Sequence, residues 1–346
     1  MKWLFRLLLI LLLFSGFSVG GYWYMNHMLT APTSDEPVEL EVASGSSILE
    51  VGRLLEQKDL IHNQFLFATY GFLHGKAKGL KAGVYVIPRD SSAKDILDIL
   101  SEGKENVMRL TVPEGFTVKR IADRLEKKGV DRKEFLRAVN RQTYSQYPFA
   151  KKIPVDSKRR YRLEGYLYPT TYNVPKGTRP EVLVDKMLGQ FQKRLQKNDV
   201  KEKLKERNLT VNEWVTIASI VEREGLVRDE LPRIAGVIDN RLEIGKKLQV
   251  DATVLYALGE QKERVYFKDL KVKSPYNTYR IQGLPPGPIA NPGKDALQAV
   301  LEPEEHDYLF YVTRKDGSGR HYFARTEAQH KRNIARSERE AAQSDD

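Results

Sequence analysis

The chain contains no cysteine. Disulfides, thiol nucleophiles and thiolate metal sites are therefore excluded, and the absence fits an exported bacterial protein that avoids oxidative chemistry. Histidine is scarce, with 6 in 346 residues. His321 and His330 sit too far apart for a helical ligand pair and lack a matched acidic motif, so a structural role is expected for both. No metal and no cofactor is read from the sequence. Acidic charge is in the minority: 46 Asp and Glu against 57 Lys and Arg leave a formal net charge of +11. That balance suits nucleic acid, an anionic membrane surface or an acidic polymer, and charge alone does not choose.

The N-terminus helps to choose. Lys2 and Arg6 precede an apolar run from Leu7 to Val19, extended through Gly20 and Gly21 to Tyr22, Trp23, Tyr24 and Met25. Leu7–Met25 is about the length of a bilayer-spanning helix, and the trailing aromatic residues match an interfacial belt. The rival reading is a cleaved signal peptide, with Ser18-Val19-Gly20 as the small-x-small site. On either reading the bulk of the chain is exported, with the short basic tail left in the cytoplasm. Export argues against nucleic acid as the partner.

The length allows a sizeable core and two soluble domains behind that segment. Thr30–Val38 is a polar, proline-containing linker. Two β-turn-α units of similar length follow. Glu39–Ala43 alternates like a strand, Ser44–Ser47 breaks it, and Ile48–Lys58 has helical periodicity. Arg109–Val112, Pro113-Glu114-Gly115 and Val118–Lys128 repeat the pattern. Between them Gly83–Ile87 reads as a strand and Ser91–Glu102 as a capped helix. The first module is similar in pattern to LysM, a glycan-binding fold. Lys151–Arg162 is strongly basic, read as a solvated loop in preference to a dedicated anion site. The expected class is α+β, with an N-terminal transmembrane helix, a small LysM-like α+β module and a mixed α/β catalytic domain. The expected segments are 1–29 (tail and anchor), 30–37 (linker), 38–105 (LysM-like module), 106–160 (connecting α+β region), 161–335 (catalytic domain) and 336–346 (disordered tail).

Thr210 and Glu213 form a capping box, so a helix is expected to start there. At ~100° per residue Trp214, Ile217, Ala218 and Val221 share a face. Glu224 lies three residues on, at the edge of that face. A carboxyl group beside apolar side chains stays protonated near neutrality and can donate a proton to a leaving group. An exposed acid before a Gly225 C-cap is the bland alternative. Glu222 points further round the helix, so the two acids cannot address one bond. Glu164–Tyr172 is aromatic-rich and suits stacking on sugar faces, or a core strand. Gln249, Asp251 and Thr253 alternate, and in an extended segment they would project to one side as a polar cleft wall. Ser274–Gly293 packs Pro and Gly around Tyr276, Asn277, Thr278 and Tyr279 and is read as a rigid loop.

With these runs the chain resembles the endolytic murein (lytic) transglycosylases of the MltG, or YceG-like, type. The matching runs are LEGYLYPTTY at Leu163–Tyr172, ASIVEREG at Ala218–Gly225, NRLEIGKKLQVDATVLYALG at Asn240–Gly259 and YNTYRIQGLPPGPIANPG at Tyr276–Gly293. Tyr308–Val312 and His321–Phe323 in the tail also match. Two departures stand out: Thr170 occupies a place where the family often has an acid, and Gly225 stands where some relatives have Thr. The resemblance implies that the second Glu of the E-x-E motif, Glu224, is catalytic. The implied reaction cleaves the MurNAc-β-1,4-GlcNAc bond inside nascent peptidoglycan strands and leaves 1,6-anhydro-MurNAc ends. It also implies a role as a terminator of strand growth, working with peptidoglycan synthases from the cytoplasmic membrane on its outer side. Glu164, Gln249, Asp251, Thr253, Asn277 and Tyr279 are expected to bind substrate. A water-using muramidase, with Asp251 as second carboxylate, and a non-catalytic cell-wall scaffold remain the rivals.

Overall fold

A hydroxyl residue three positions before an acid opens three of the helices. Ser47 and Glu50, Ser92 and Asp95, and Thr210 and Glu213 each form a reciprocal capping box, which satisfies amide groups that the first helical turn leaves without partners. The computed structural model describes residues 37–103, 107–141, 144–260, 262 and 265–344. The expected anchor at Leu7–Met25 and the linker up to residue 36 lie outside the described residues. No described helix is long and apolar enough to cross a membrane. Among the described residues the fold is mixed α+β with small sheets: three pairs of strands, with helices and loops between them.

The chain divides into two compact units. The first holds residues up to Arg109 together with Asn173–Lys176. Strands β1 (Val38–Val42) and β2 (Gly83–Ile87) pair antiparallel, with Leu40 opposite Tyr85 and Val42 opposite Gly83. Helices α1 (Ile48–Gln57), α2 (Gln64–Leu73) and α3 (Ala93–Glu102) complete it. Their apolar faces meet in one core: Leu40, Val51, Leu55, Phe67, Tyr85, Ile87, Ile96 and Leu100 are almost fully buried. Each such side chain contributes about 1.5–3 kcal/mol relative to exposure. The strands and helices expected from periodicity here all form, within one or two residues of their expected ends. The chain passes between the two units within a further strand pair, β3 (Val107–Thr111) and β4 (Thr171–Pro175).

The second unit takes Leu110–Tyr172 and the chain from Gly177 onward. Helices α4 (Val118–Glu126), α5 (Arg132–Asn140), α6 (Pro148–Lys151), α7 (Pro180–Leu195) and α8 (Asn198–Glu206) lead to α9 (Val211–Glu224). Helices α10 (Leu231–Glu243), α11 (Asp251–Leu258) and α12 (Lys294–Leu301) pack on α9. Every residue of α9 from Trp214 to Val221 is buried. The face read from the sequence is thus too narrow: a helix apolar all round is a core helix. The Trp214 indole donates to the Leu297 carbonyl at 2.9 Å. Ser219 Oγ accepts the Ile289 amide at 3.0 Å, tying the proline-rich loop to the helix.

Strands β5 (Phe310–Thr313) and β6 (His321–Ala324) form an antiparallel pair covered by α13 (Glu327–Ser344). The tail expected to be disordered from residue 336 is helical as far as Ser344. Ser337 donates to the Thr313 carbonyl at 2.7 Å, and Tyr322 Oη to Glu340 at 2.5 Å, so contacts to the strands supply the ordering that local composition does not. The aromatic run after Glu164 also departs from a sugar-stacking surface. Tyr166 is buried and packs on Phe149 and Phe191 at 5.8 and 5.3 Å.

Glu164 is fully buried. Its carboxyl accepts the Val118 amide at 2.8 Å and the Tyr256 hydroxyl at 3.0 Å, joining the start of α4 to α11. Gly165 follows at φ +89°, where an added Cβ would come within 2.5 Å of Pro288 and 2.8 Å of Val215. A side chain there is excluded on both backbone and steric grounds. Burial pushes Glu164 up to about 8, against the opposing pull of those two hydrogen bonds. The folded state therefore holds a proton that the unfolded chain, at the ordinary value of 4.5, gives up. This raised value makes stability fall as pH rises through that window. Glu164→Gln is expected to keep the shape and to narrow the loss of Tm between pH 5 and 9. The narrowing is about 2–4 °C or more, the shift one kcal/mol produces in a domain of this size, read by thermal melts across pH.

Candidate active site

Glu224 ends α9, three residues beyond the buried stretch. The Gly225 amide donates to the Val221 carbonyl at 3.0 Å and Gly225 itself is extended, with φ −91° and ψ 116°. Gly225 is therefore not a left-handed C-cap, and the chain leaves the helix straight. An added Cβ at this glycine would meet Leu231 Cδ2 at 2.2 Å, so a larger residue here requires the Leu231 side chain to move.

The Glu224 carboxyl is half-buried and held from two sides. Tyr311 Oη, from β5, donates to Oε2 at 3.0 Å. The Ala252 amide, in the first turn of α11, lies close enough to favour the charged form of Glu224. Amides of a first helical turn favour the carboxylate. Burial outweighs them and pushes Glu224 up to about 7. The Tyr311 hydrogen bond works downward, the neighbouring Asp251 charge upward, and the Ala252 amide and Arg223 downward again. The group thus titrates near neutrality, the condition for one carboxyl to give and retake a proton. Tyr311 is raised well above its ordinary value, first by its own burial and then by the Glu224 charge, and stays a donor.

Glu222 faces elsewhere. Its Oε2 accepts the Gly293 amide at 2.9 Å, at the start of α12. Burial pushes it up to about 7, opposed by the Gly293 amide and assisted by Glu114. The two acids of the motif are held by different elements, in keeping with their offset around the helix.

Gln249, Asp251 and Thr253 do not form an extended stripe. Val250 caps α11, whose first residue is Asp251. The Val250 amide donates to Thr278 Oγ1 at 3.0 Å, and Thr253 Oγ1 donates to the Val250 carbonyl at 2.6 Å. These bonds close a helical turn, so the side-chain period is 3.6 and not 2. Asp251 is exposed and Thr253 fully buried. Gln249 is exposed at φ +54°, and its amide donates to the Thr278 carbonyl at 3.2 Å. Asn277 is fully buried. Its amide group donates to the Leu270 and Val272 carbonyls, both at 2.9 Å, and its Oδ1 accepts the Tyr279 amide at 3.0 Å. Tyr279 is half-buried and donates to Asp251 Oδ1 at 2.6 Å. Of the expected substrate-binding residues, Asp251 and Tyr279 stand beside Glu224 and Gln249 adjoins them. Thr253, Asn277 and Glu164 spend their polar atoms on the protein itself.

Several site residues had no individual signal in the sequence. Arg241 is buried and donates to the Leu309 carbonyl at 2.5 Å, the Leu248 carbonyl at 2.7 Å and the Lys247 carbonyl at 3.1 Å. It joins the segment before α11 to the start of β5. Glu230 and His321 form a buried pair, Oε2 to Nδ1 at 2.9 Å, and the His321 ring meets Tyr311 edge-on at 5.5 Å. Tyr311, Arg241 and His321 lie within the runs quoted above for the resemblance, but nothing local marked what they touch. Among the described residues, no group of three or more His, Asp or Glu side chains is placed to hold a metal ion.

A cleft of about 780 Å³ lies near the acid, although Glu224 itself is not among its lining residues. Arg223 and Ala252 line it, as do Phe116, Arg120, Tyr256 and Ile289.

The model of the YceG-like family matches residues 40–336. A protein of Streptococcus pneumoniae strain D39 named endolytic murein transglycosylase is 35% identical, over 92% of this chain and 62% of that protein. The chain thus spans under two thirds of that relative's length. A protein of the same name from Bacillus subtilis is 32% identical, over 86% of each chain. The crystal structure of a yceG-like protein from Listeria monocytogenes is 33% identical and superposes with a TM-score of 0.59, covering 86% of this chain and 99% of that one. The match over most of its length shows that the chain belongs to the YceG-like family.

Proposed function

We propose that the protein is an endolytic lytic transglycosylase that cleaves the MurNAc-β-1,4-GlcNAc bond of nascent peptidoglycan, with Glu224 as its single acid and base. The observation that carries this reading is the placement of Glu224: a carboxyl at the end of a buried helix, oriented by the Tyr311 hydroxyl at 3.0 Å, with burial raising its pKa toward neutrality. Relatives named endolytic murein transglycosylase support the substrate class. Protonated Glu224 gives its proton to the glycosidic oxygen as the C1–O bond breaks. The carboxylate left behind takes the proton of the muramyl 6-hydroxyl as that oxygen bonds to C1. No water is consumed, and the enzyme returns to its starting protonation state. On this reading Asp251 and Tyr279, joined at 2.6 Å near the acid, bind substrate, with Gln249 at their edge. Thr253, Asn277 and Glu164 hold the frame.

The proposal extends to location. Leu7–Met25 would hold the chain as a single span, with residues 161–335 as the catalytic domain outside the cytoplasmic membrane, near glycan polymerases whose product it trims. Residues 38–105 would be the LysM-like module that retains glycan. Their antiparallel strand pair packed by helices supports that part of the reading.

A second reading is a water-using muramidase. It is favoured by one observation, the Asp251 carboxylate close enough to raise Glu224. Product masses separate the two: anhydro ends are lighter than hydrated reducing ends by one water. The first reading expects released fragments whose masses sum to that of the substrate strand.

Glu224→Gln is expected to lower kcat by about 10²- to 10⁴-fold, the usual contribution of a positioned acid–base group, with binding of glycan retained. Full activity of a folded Glu224→Gln protein on purified strands would remove the catalytic role. For the unsubstituted enzyme, kcat/KM should fall above about pH 7, tenfold per unit, as the acid ionises. Tyr311→Phe deletes a bond that favours the carboxylate, so this alkaline limb should move to higher pH. A limb that stays in place or moves to lower pH shows that Tyr311 does not set the acidity of Glu224.

A further inference from the structure

The cleft beside Glu224 carries an unusual charge. Among the described residues that line it, six are basic: Lys119, Arg120, Arg124, Lys127, Arg160 and Arg223. Two are acidic, and both have cationic partners of their own. Asp123 pairs with Arg132 at 2.9 Å and Glu260 with Lys262 at 3.3 Å. Several of the basic groups are fixed in place by neutral atoms. Lys119 Nζ donates to the Gly259 carbonyl at 3.0 Å, Arg124 to the Thr111 carbonyl at 2.7 Å and Arg160 to the Ala257 carbonyl at 2.7 Å. Carbonyls orient these side chains without cancelling their charge. Arg120 and Arg124 both stack on Phe116, at 3.8 and 4.8 Å from the ring centre. Stacked guanidinium groups are held as preorganised planes that suit carboxylate recognition.

Like charges gathered this closely repel. Arg120 is held below its ordinary value, first by burial and then by the charges of Arg223 and Arg124. An anion entering the cleft relieves that repulsion. The space of about 780 Å³ lies in the range of sites that take an extended ligand, well beyond a single small ion. The lining also offers Phe116, Tyr256 and Ile289 as apolar surface. Position supplies the remaining constraint. Arg223 precedes the acid in sequence, and Ala252, whose amide lies near enough to Glu224 to favour its carboxylate, forms part of the cleft wall. On the glycan-cleaving reading, a group in this cleft would reach it from a sugar held at Glu224, through the wall that Arg223 and Ala252 share with the acid.

We propose that this cleft is an anion subsite that holds the carboxylates of the peptide borne by the muramyl residue at the cleaved bond. The inference rests on the glycan-cleaving reading for the identity of its ligand and adds a requirement for a charged peptide on the strand. Arg120 and Arg223 are the recognition residues, and Phe116 sets the plane of the first. The cleft then distinguishes peptide-bearing strands from bare ones beside the acid that cuts them.

The test measures binding and not turnover. Detergent-solubilised full chain carrying Glu224→Gln is titrated calorimetrically with three probes: a GlcNAc–MurNAc-tetrapeptide, the same compound with its carboxyl groups amidated, and inorganic pyrophosphate. The native muropeptide should bind more tightly than the amidated one. Adding Arg120→Gln and Arg223→Gln should weaken the native muropeptide roughly tenfold or more, the usual scale for losing hydrogen bonds to charged groups. The amidated compound should not respond to the two substitutions, and melting curves should show an unchanged fold. Equal loss for both muropeptides, or no loss for the native one, overturns the proposal. Arginine-dependent binding of pyrophosphate without that of the muropeptide also overturns it and assigns the cleft to a phosphate-bearing group. If the muropeptide behaves as expected while the unsubstituted chain cleaves no strand, the subsite stands and the catalytic reading falls.

Discussion

A carboxyl group that must lose most of its water, yet keep enough donors to remain useful, is the constraint on which the site depends. Helix α9 imposes the first half. With Trp214 to Val221 buried on every side, the helix cannot rotate or slide without opening the core, so its last residue is delivered to one place. Tyr311 and the Ala252 amide supply the second half. Desolvation alone would leave an inert neutral acid, and donors alone an ordinary carboxylate. Their competition sets a group that can exist in both forms at one pH.

The surroundings are organised around keeping those donors still. Arg241 ties the approach to α11 to the approach to β5, so the elements bearing the two donors are braced by a single guanidinium. The buried Glu230–His321 pair packs against the Tyr311 ring from behind. On the far side Asn277 and Thr278 shape the loop from which Tyr279 reaches Asp251. Most of the polar groups nearby thus act on backbone, at a remove from any ligand. A half-satisfied network of this kind would be costlier than an apolar core.

That distinction explains what was legible in the sequence. Helix starts with capping boxes, alternating strands and the candidate acid depend on neighbours within a few positions, and they could be read. Thr253, Asn277 and Glu164 could be recognised as unusual polar residues but not sorted, because a side chain that serves a ligand and one that serves a buried carbonyl look alike in one dimension. Gln249 to Thr253 was misread as a strand because Thr278, some 25 positions on, closes the turn that makes it a helix. Tyr311, Arg241 and His321 act across 68 to 91 positions, where no periodicity reaches. Tail order was missed for the same reason: Ser337 and Glu340 are fastened to strands and not to their own neighbours.

The bond from Tyr311 to Glu224 spans 87 positions of chain, and the strand that carries Tyr311 lies under the final helix. A ribosome that has made the glutamate has therefore not yet made its partner. Until β5 is synthesised and docked, the side chain at 224 lacks the hydroxyl that tunes it. The acidity of that carboxyl is thus set late, after the helix that carries it has been made.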